Sequence, residues 1–145
     1  MKQKNVFGKI LISTRTIAVV GMSSKPHRAG YYVPAYLQEQ GYRIIPVNPF
    51  LYKPVLNEEP YAELSEVPEP VDLVLIFQRS ENIPPFVDQA IKIGAKAVWM
   101  QLGIAHQEAA DKARAAGLDV VMDACMLVEH KLIKSQAGFS NLFTV

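Results

Sequence analysis

The stretch Thr16-Ile-Ala-Val-Val-Gly-Met-Ser-Ser-Lys-Pro-His-Arg-Ala-Gly30 joins a short apolar run to a small, polar, cationic turn and then to a helical pattern. Ile17 to Val20 is continuously apolar, rich in β-branched residues and short, which suits a strand buried on both faces. Gly21 ends the run, and Ser23, Ser24, Lys25, His27 and Arg28 follow before a helix begins near Tyr31. In open parallel sheets, ligands gather beyond the carboxyl ends of strands, where helix N-termini and free backbone N–H groups favour anions. This turn is therefore the first candidate for a phosphate site.

The rest of the chain repeats the strand, turn and helix pattern. Residues 42–47 read as a second strand, which Pro46-Val47-Asn48-Pro49 takes abruptly out of the sheet. The run 71–77, bracketed by Pro70 and Gln78, is the strand expected at the centre, and 96–100 and 119–122 complete the set. Helices are expected over about 31–40, from Ile83 to the stop at Gly94, and over 106–116 and 126–134. Residues 5–12 read as a short helix covering one edge of the sheet. The segment 50–70 has no sustained period and holds Pro54, Pro60, Pro68 and Pro70. It reads as a long connection with a short edge strand near Val55, either a binding element or a plain crossover. The alternation predicts an α/β fold: one Rossmann-like domain over 1–145 with a mostly parallel sheet of five to six strands and helices on both faces. Residues 1–13 would be a helical extension, 137–145 a tail, and the strand order 3-2-1-4-5.

Composition narrows the partners. With 15 basic and 14 acidic residues in 145, the formal charge is +1, so nothing in the overall balance invites nucleic acid or a membrane surface. Any anion site must be local, for a small-molecule ligand. The one cysteine, Cys125, has no internal disulfide partner, which suits a reducing compartment. No apolar run approaches the roughly 20 residues that span a bilayer, and the first dozen residues are too interrupted for a secretion signal. A cytoplasmic protein is expected, with a protein partner or a homo-oligomer left open.

The nucleotide chemistry is unusual for this fold. The turn reads Gly21-Met-Ser-Ser-Lys-Pro rather than G-x-G-x-x-G, and the second strand ends at Val47-Asn48-Pro49 without the acid that holds ribose hydroxyls in NAD sites. Together with Pro26 and Arg28, Gly41-Tyr42, Ala95-Lys96-x-Val98-Trp99-x-Gln101-x-Gly103, Asp123-x-Cys125 and Glu129-His130, these motifs resemble the small stand-alone CoA-binding proteins. Those look like the N-terminal nucleotide-binding domain of the succinyl-CoA synthetase α subunit. The resemblance spans about 16–130 and implies coenzyme A or an acyl-CoA lying across the carboxyl edge of the sheet.

By that resemblance, Gly21, Met22, Ser23 and Ser24 would face the diphosphate, with Lys25 or Arg28 adding charge. Val47, Asn48 and Pro49 would border the adenosine, and Phe77, Gln78 and Arg79 would line the path of the pantetheine or nucleotide. From charge and position, Lys53 is expected at a ribose phosphate. Gln101 is expected to bring a polar amide to the ligand edge, while Trp99, on the same face of its strand, reads as core. Ordinary turn chemistry and helix capping account equally well for Ser23, Ser24 and Pro26; for Arg28 and Arg79 the competing account is a solvated or ion-paired surface residue, which their places on carboxyl-side loops disfavour. His106 reads as a first-turn helix residue, His130 as a helix-surface or capping residue, and Cys125 as packing. His27, His106 and His130 lie far apart without metal-ligand spacing, and no Ser-His-Asp or paired-carboxylate set can be argued. The expectation is non-catalytic binding with no metal. The alternative is the nucleotide-binding subunit of an acyl-CoA ligase or transferase, or an NAD(P)-dependent enzyme.

Overall fold

Among residues 2–136, which the computed structural model describes, five strands alternate with five α-helices. The strands are β1 (Thr16–Val20), β2 (Arg43–Val47), β3 (Leu73–Ile76), β4 (Ala97–Met100) and β5 (Asp119–Val121). The helices are α1 (Lys2–Ser13), α2 (Ala29–Glu39), α3 (Ile83–Lys92), α4 (Gln107–Ala115) and α5 (Met126–Lys134). The sheet is entirely parallel in the order β2-β1-β3-β4-β5, so the apolar run of β3 does lie at its centre.

That order corrects the expected 3-2-1-4-5, and the reason lies in the segment 50–70. Tyr61 alone pairs with the outer edge of β2, through its N–H to Pro46 O (2.9 Å) and its carbonyl to Asn48 N (2.9 Å). Pro60 has no N–H and Pro54 and Pro68 flank it, so no longer ladder can form there. One residue thus occupies the place of a third strand, and the next true strand inserts beside β1. The edge strand expected near Val55 is instead a tight turn: Val55 pairs antiparallel with Glu58 across Leu56 and Asn57, both at positive φ.

Alternation along the strands divides the core in two. Ala18, Val20, Val74, Ile76, Val98 and Met100 face α3 and α4, whose Val87, Ala90, Ala110 and Ala113 allow close approach. Ile17, Val19, Leu73, Leu75 and Trp99 face α1, α2 and α5. α1 therefore covers a face at the β4–β5 end rather than an edge: Phe7 stacks on Trp99 with ring centroids 5.3 Å apart, and Lys9 pairs with Asp119 at 2.9 Å. Trp99 is core, as expected, and its Nε1 donates to Ala124 O (2.8 Å).

Two histidines are placed differently from expectation. His130 is fully buried, with Nδ1 2.7 Å from Tyr36 Oη and its ring edge-on to Tyr36 and Tyr42. It joins α5 to α2, and burial, aided by the Lys134 charge, pushes its pKa below the ordinary value. The surface reading failed because its neighbours come from elements some 90 residues away in the chain. His106 precedes α4 as its N-cap, Nδ1 accepting from Ala109 N (3.1 Å). No helix among the described residues is long and apolar enough to cross a membrane.

Candidate functional site

The carboxyl ends of β1, β2 and β3 are drawn together by one glycine. Gly21 sits at φ +79° and donates its N–H to Val47 O (2.9 Å), while a Cβ at this position would lie 2.2 Å from Phe77 O. Only a residue without a side chain lets the turn cross the end of β3 so closely. Gly30, in the first turn of α2, plays a related part: a Cβ there would meet Gly21 O at 3.2 Å and Ser23 N at 3.4 Å. The start of α2 is thereby packed directly against the turn.

The turn itself is internally bonded. Ser23 N donates to Gly30 O (3.1 Å), Lys25 N to Ser23 Oγ (3.0 Å) and Arg28 N to Lys25 O (3.0 Å). Ser23 thus does perform turn chemistry, while its residue also borders the open space above. Arg28 is the N-cap of α2 in extended geometry, and no side chain caps the helix. The first N–H groups of α2 are left to solvent or an anion, and Ala29 and Gly30 line the cavity at this point.

Two cavities open from this edge. The first, about 590 Å³, is bordered by Gly21, Met22, Ser23, Ser24, Lys25 and Arg28, with Met22 buried beneath. The second, about 580 Å³, lies against Val20, Val47, Pro49, Gln78 and Phe86, with Glu63 and Glu66 on its wall. Gly21, Asn48, Phe50 and Phe77 border both, so the cavities adjoin across the end of β1. Their chemistry is opposite: cations and helix N–H groups in the first, apolar and acidic groups in the second.

Asn48 holds the junction. Its Nδ2 donates to Met22 O (2.9 Å) and its Oδ1 accepts from Phe50 N (2.9 Å), so the amide ties the loop after β2 to the turn after β1. An acid here could accept from Phe50 but could not donate to Met22 O.

Eleven of the fourteen residues singled out from the sequence border one or both cavities: Gly21, Met22, Ser23, Ser24, Lys25, Arg28, Val47, Asn48, Pro49, Phe77 and Gln78. Lys53, Arg79 and Gln101 border neither. Lys53 is exposed on the segment 50–70, and Arg79 is exposed before the short 3₁₀ turn Ser80–Asn82. Gln101 is 4% exposed, and its Oε1 accepts from Met126 N (3.3 Å) at the start of α5. Phe50, Glu63, Glu66, Phe86 and Gln89 were not singled out. Phe86 and Gln89 could have been, since α3 starts at the carboxyl edge beside β3; Glu63 and Glu66 lie in an aperiodic segment without a signal. No group of three or more His, Cys, Asp or Glu among the described residues is arranged to hold a metal ion.

A family model described as a CoA binding domain matches residues 15–131. The protein YneT of Bacillus subtilis is 36% identical over 126 residues, covering 87% of this chain and 93% of YneT. A solved structure of a Thermus thermophilus protein, cell-free ID.343, is 38% identical with a TM-score of 0.84, covering 89% of this chain and 97% of that one. The α subunit of acetate–CoA ligase (ADP-forming) I from Pyrococcus furiosus is 30% identical over 93 residues, covering 61% of this chain and 20% of that subunit.

Proposed function

The chain belongs to the CoA-binding domain family, and from that premise we propose that it holds coenzyme A, free or acylated, at the carboxyl edge of β1, β2 and β3, with no catalytic step of its own. The observation that carries this reading is the pair of adjoining cavities of opposite character. The diphosphate lies in the first, against the uncapped start of α2, with Lys25 and Arg28 supplying charge. One bulky end of the ligand enters the second, where Glu63 and Glu66 repel phosphate and Val47, Pro49, Phe77 and Phe86 supply apolar walls. Each cavity alone falls in the range of about 300–1,000 Å³ that suits a small ligand, and a nucleotide with a long arm needs more than one. Lys53, Arg79 and Gln101 are outside the proposed contact set.

Asn48 also separates CoA from NAD. Its amide is engaged on both sides, so the position at the end of β2 where NAD sites keep an acid for the ribose diol is not a carboxylate, and the carboxylates bordering the same cavity, Glu63 and Glu66, come from the segment 50–70. Calorimetry and thermal unfolding with CoA, acetyl-CoA, NADH and NADPH test the reading. Expected is one CoA or acetyl-CoA per chain and, at a hundredfold excess over Kd, a gain of about 2.7 kcal/mol and a rise in Tm of roughly 5–10 °C. Preference for NADH, or no heat and no shift with CoA, overturns it.

The likeness to the ligase subunit favours a second reading, in which the bound thioester is passed to a separate catalytic chain. Recovery of a ligase subunit with the tagged protein from its source cells would support that version.

A further inference from the structure

Resting on the CoA reading, we propose that Pro34, inside α2, is a positioning residue for the turn after β1. By leaving the Gly30 carbonyl without its helical donor, it hands that carbonyl to Ser23 and so fixes the turn against the start of α2.

The helix begins at Ala29, so Pro34 falls in its second turn, beyond the first-turn positions where a missing N–H breaks no helical bond. In an α-helix the N–H of residue 34 donates to the carbonyl of residue 30. Proline has no N–H, and its ring crowds that carbonyl out of line with the helix axis. Gly30 O accepts instead from Ser23 N (3.1 Å), a donor outside the helix. The bond that Pro34 removes and the bond that holds the turn thus end on the same atom.

Gly30 supplies the other half of the arrangement. A Cβ there would stand 3.4 Å from Ser23 N and 3.5 Å from Ser23 Cβ, so glycine lets the turn come within reach while Pro34 leaves an acceptor for it. Pro34 is buried, as are Val33 and Leu37, so its ring is fixed in the packed layer between α2 and the sheet.

Three successive residues of the turn are anchored to different parts of the fold. Gly21 N donates to Val47 O (2.9 Å), Met22 O accepts from Asn48 Nδ2 (2.9 Å), and Ser23 N donates to Gly30 O. The first two bonds tie the turn to the end of β2, and the third ties it to α2. An anion that spans the turn and the uncapped start of α2 needs the two at a fixed separation, and the Ser23–Gly30 bond sets it before the ligand arrives. An N–H at residue 34 would draw Gly30 O back along the helix axis and release Ser23, and the turn would then have to be ordered on binding.

The test compares wild type with Pro34→Ala, with Pro34→Val, which keeps more of the buried volume, and with a variant carrying lactic acid at position 34, which has the alanine side chain but an ester in place of the N–H. Amide hydrogen exchange is read without ligand, and CoA affinity by calorimetry. In Pro34→Ala and Pro34→Val the amide of residue 34 is expected to be protected, Ser23 N–H to exchange about tenfold faster than in wild type, and CoA to bind about tenfold more weakly. The lactic acid variant is expected to keep both the protection of Ser23 and the affinity for CoA. Undiminished protection of Ser23 in Pro34→Ala and Pro34→Val overturns the inference, because the two donors then share the carbonyl. A loss of CoA affinity in the lactic acid variant equal to that in Pro34→Ala also overturns it, because the ring's packing and not its missing N–H is then at work. Wild-type protein that binds no CoA overturns the CoA reading and this inference's consequence for the ligand together, whereas wild-type binding that is undiminished in Pro34→Ala and Pro34→Val overturns this inference alone.

Discussion

The turns after β1 and β2 and the turns after β4 and β5 leave the same carboxyl edge of one sheet, but their polar groups have different partners. On the β4–β5 side the loops bond to each other. Gly103 N donates to Asp123 Oδ1 (2.7 Å), Asp123 N to Ile104 O (2.9 Å), Ala105 N to Ser80 Oγ (3.0 Å) and Met126 N to Gln101 Oε1 (3.3 Å). On the β1–β2 side, α2 begins without a side-chain cap, and among the described residues no carboxylate pairs with Lys25 or Arg28. The β1–β2 end is the one proposed to take a ligand because its loops leave donors and charges unmatched. Position at the carboxyl edge is not sufficient.

The largest effect that can break this comparison comes from its two glycines. Gly21→Ala forces a Cβ to within 2.2 Å of Phe77 O at a positive φ, and should destabilise the fold by roughly 3 kcal/mol, lower Tm by about 10 °C and abolish CoA binding. Gly103→Ala, on the closed side, has an equally positive φ but open space around it. It should cost about 1 kcal/mol and leave CoA affinity intact. Equal loss of CoA affinity in the two variants, measured beside thermal unfolding, would erase the distinction between the two sides.

Much of the fold was legible because its elements are short and sharply bounded. The apolar run of β3 lies between Pro70 and Gln78, and α5 runs over 126–134 as read from its sequence. The strand order was not legible, since the competing edge is a single residue, Tyr61, and a one-residue pairing leaves no period. The residues that border the first cavity could be grouped locally, because Gly21, Ser23, Lys25 and Arg28 are close in the chain. Gln101 could not be placed in that way. Its amide meets the start of α5, 25 residues later, and the same residue type at a strand end serves equally to hold a ligand or to cap a helix. Phe50 lacks a sequence signal for the opposite reason: an aromatic beside a proline-rich segment looks like stray surface until both cavities are seen to meet at it.

Gln101 sharpens the comparison next. Gln101→Leu leaves the buried Met126 N–H without its acceptor and should cost about 2 kcal/mol in urea unfolding, with the Kd for CoA unchanged. A weakened Kd with unchanged stability would return Gln101 to the ligand.

The smallest effect falls on the exposed cations. Lys25→Ala and Arg28→Ala should each weaken CoA by a few-fold, with a loss that shrinks as salt rises and no change in Tm, because neither side chain holds the fold together. Salt-independent loss, seen by calorimetry at low and high ionic strength, would mean that these residues act through structure and not through charge.

The central claim is that one side of the carboxyl edge receives CoA and the other does not, and amide chemical shifts in a titration of isotope-labelled protein with CoA read this residue by residue. The account predicts saturable shifts at residues 21–30 other than Pro26, at Asn48 and Phe50, and at Phe77 and Gln78, with Gln101, Gly103 and Asp123 unmoved. Shifts centred on Gln101, Gly103 and Asp123, or none at all at saturating CoA, would contradict it.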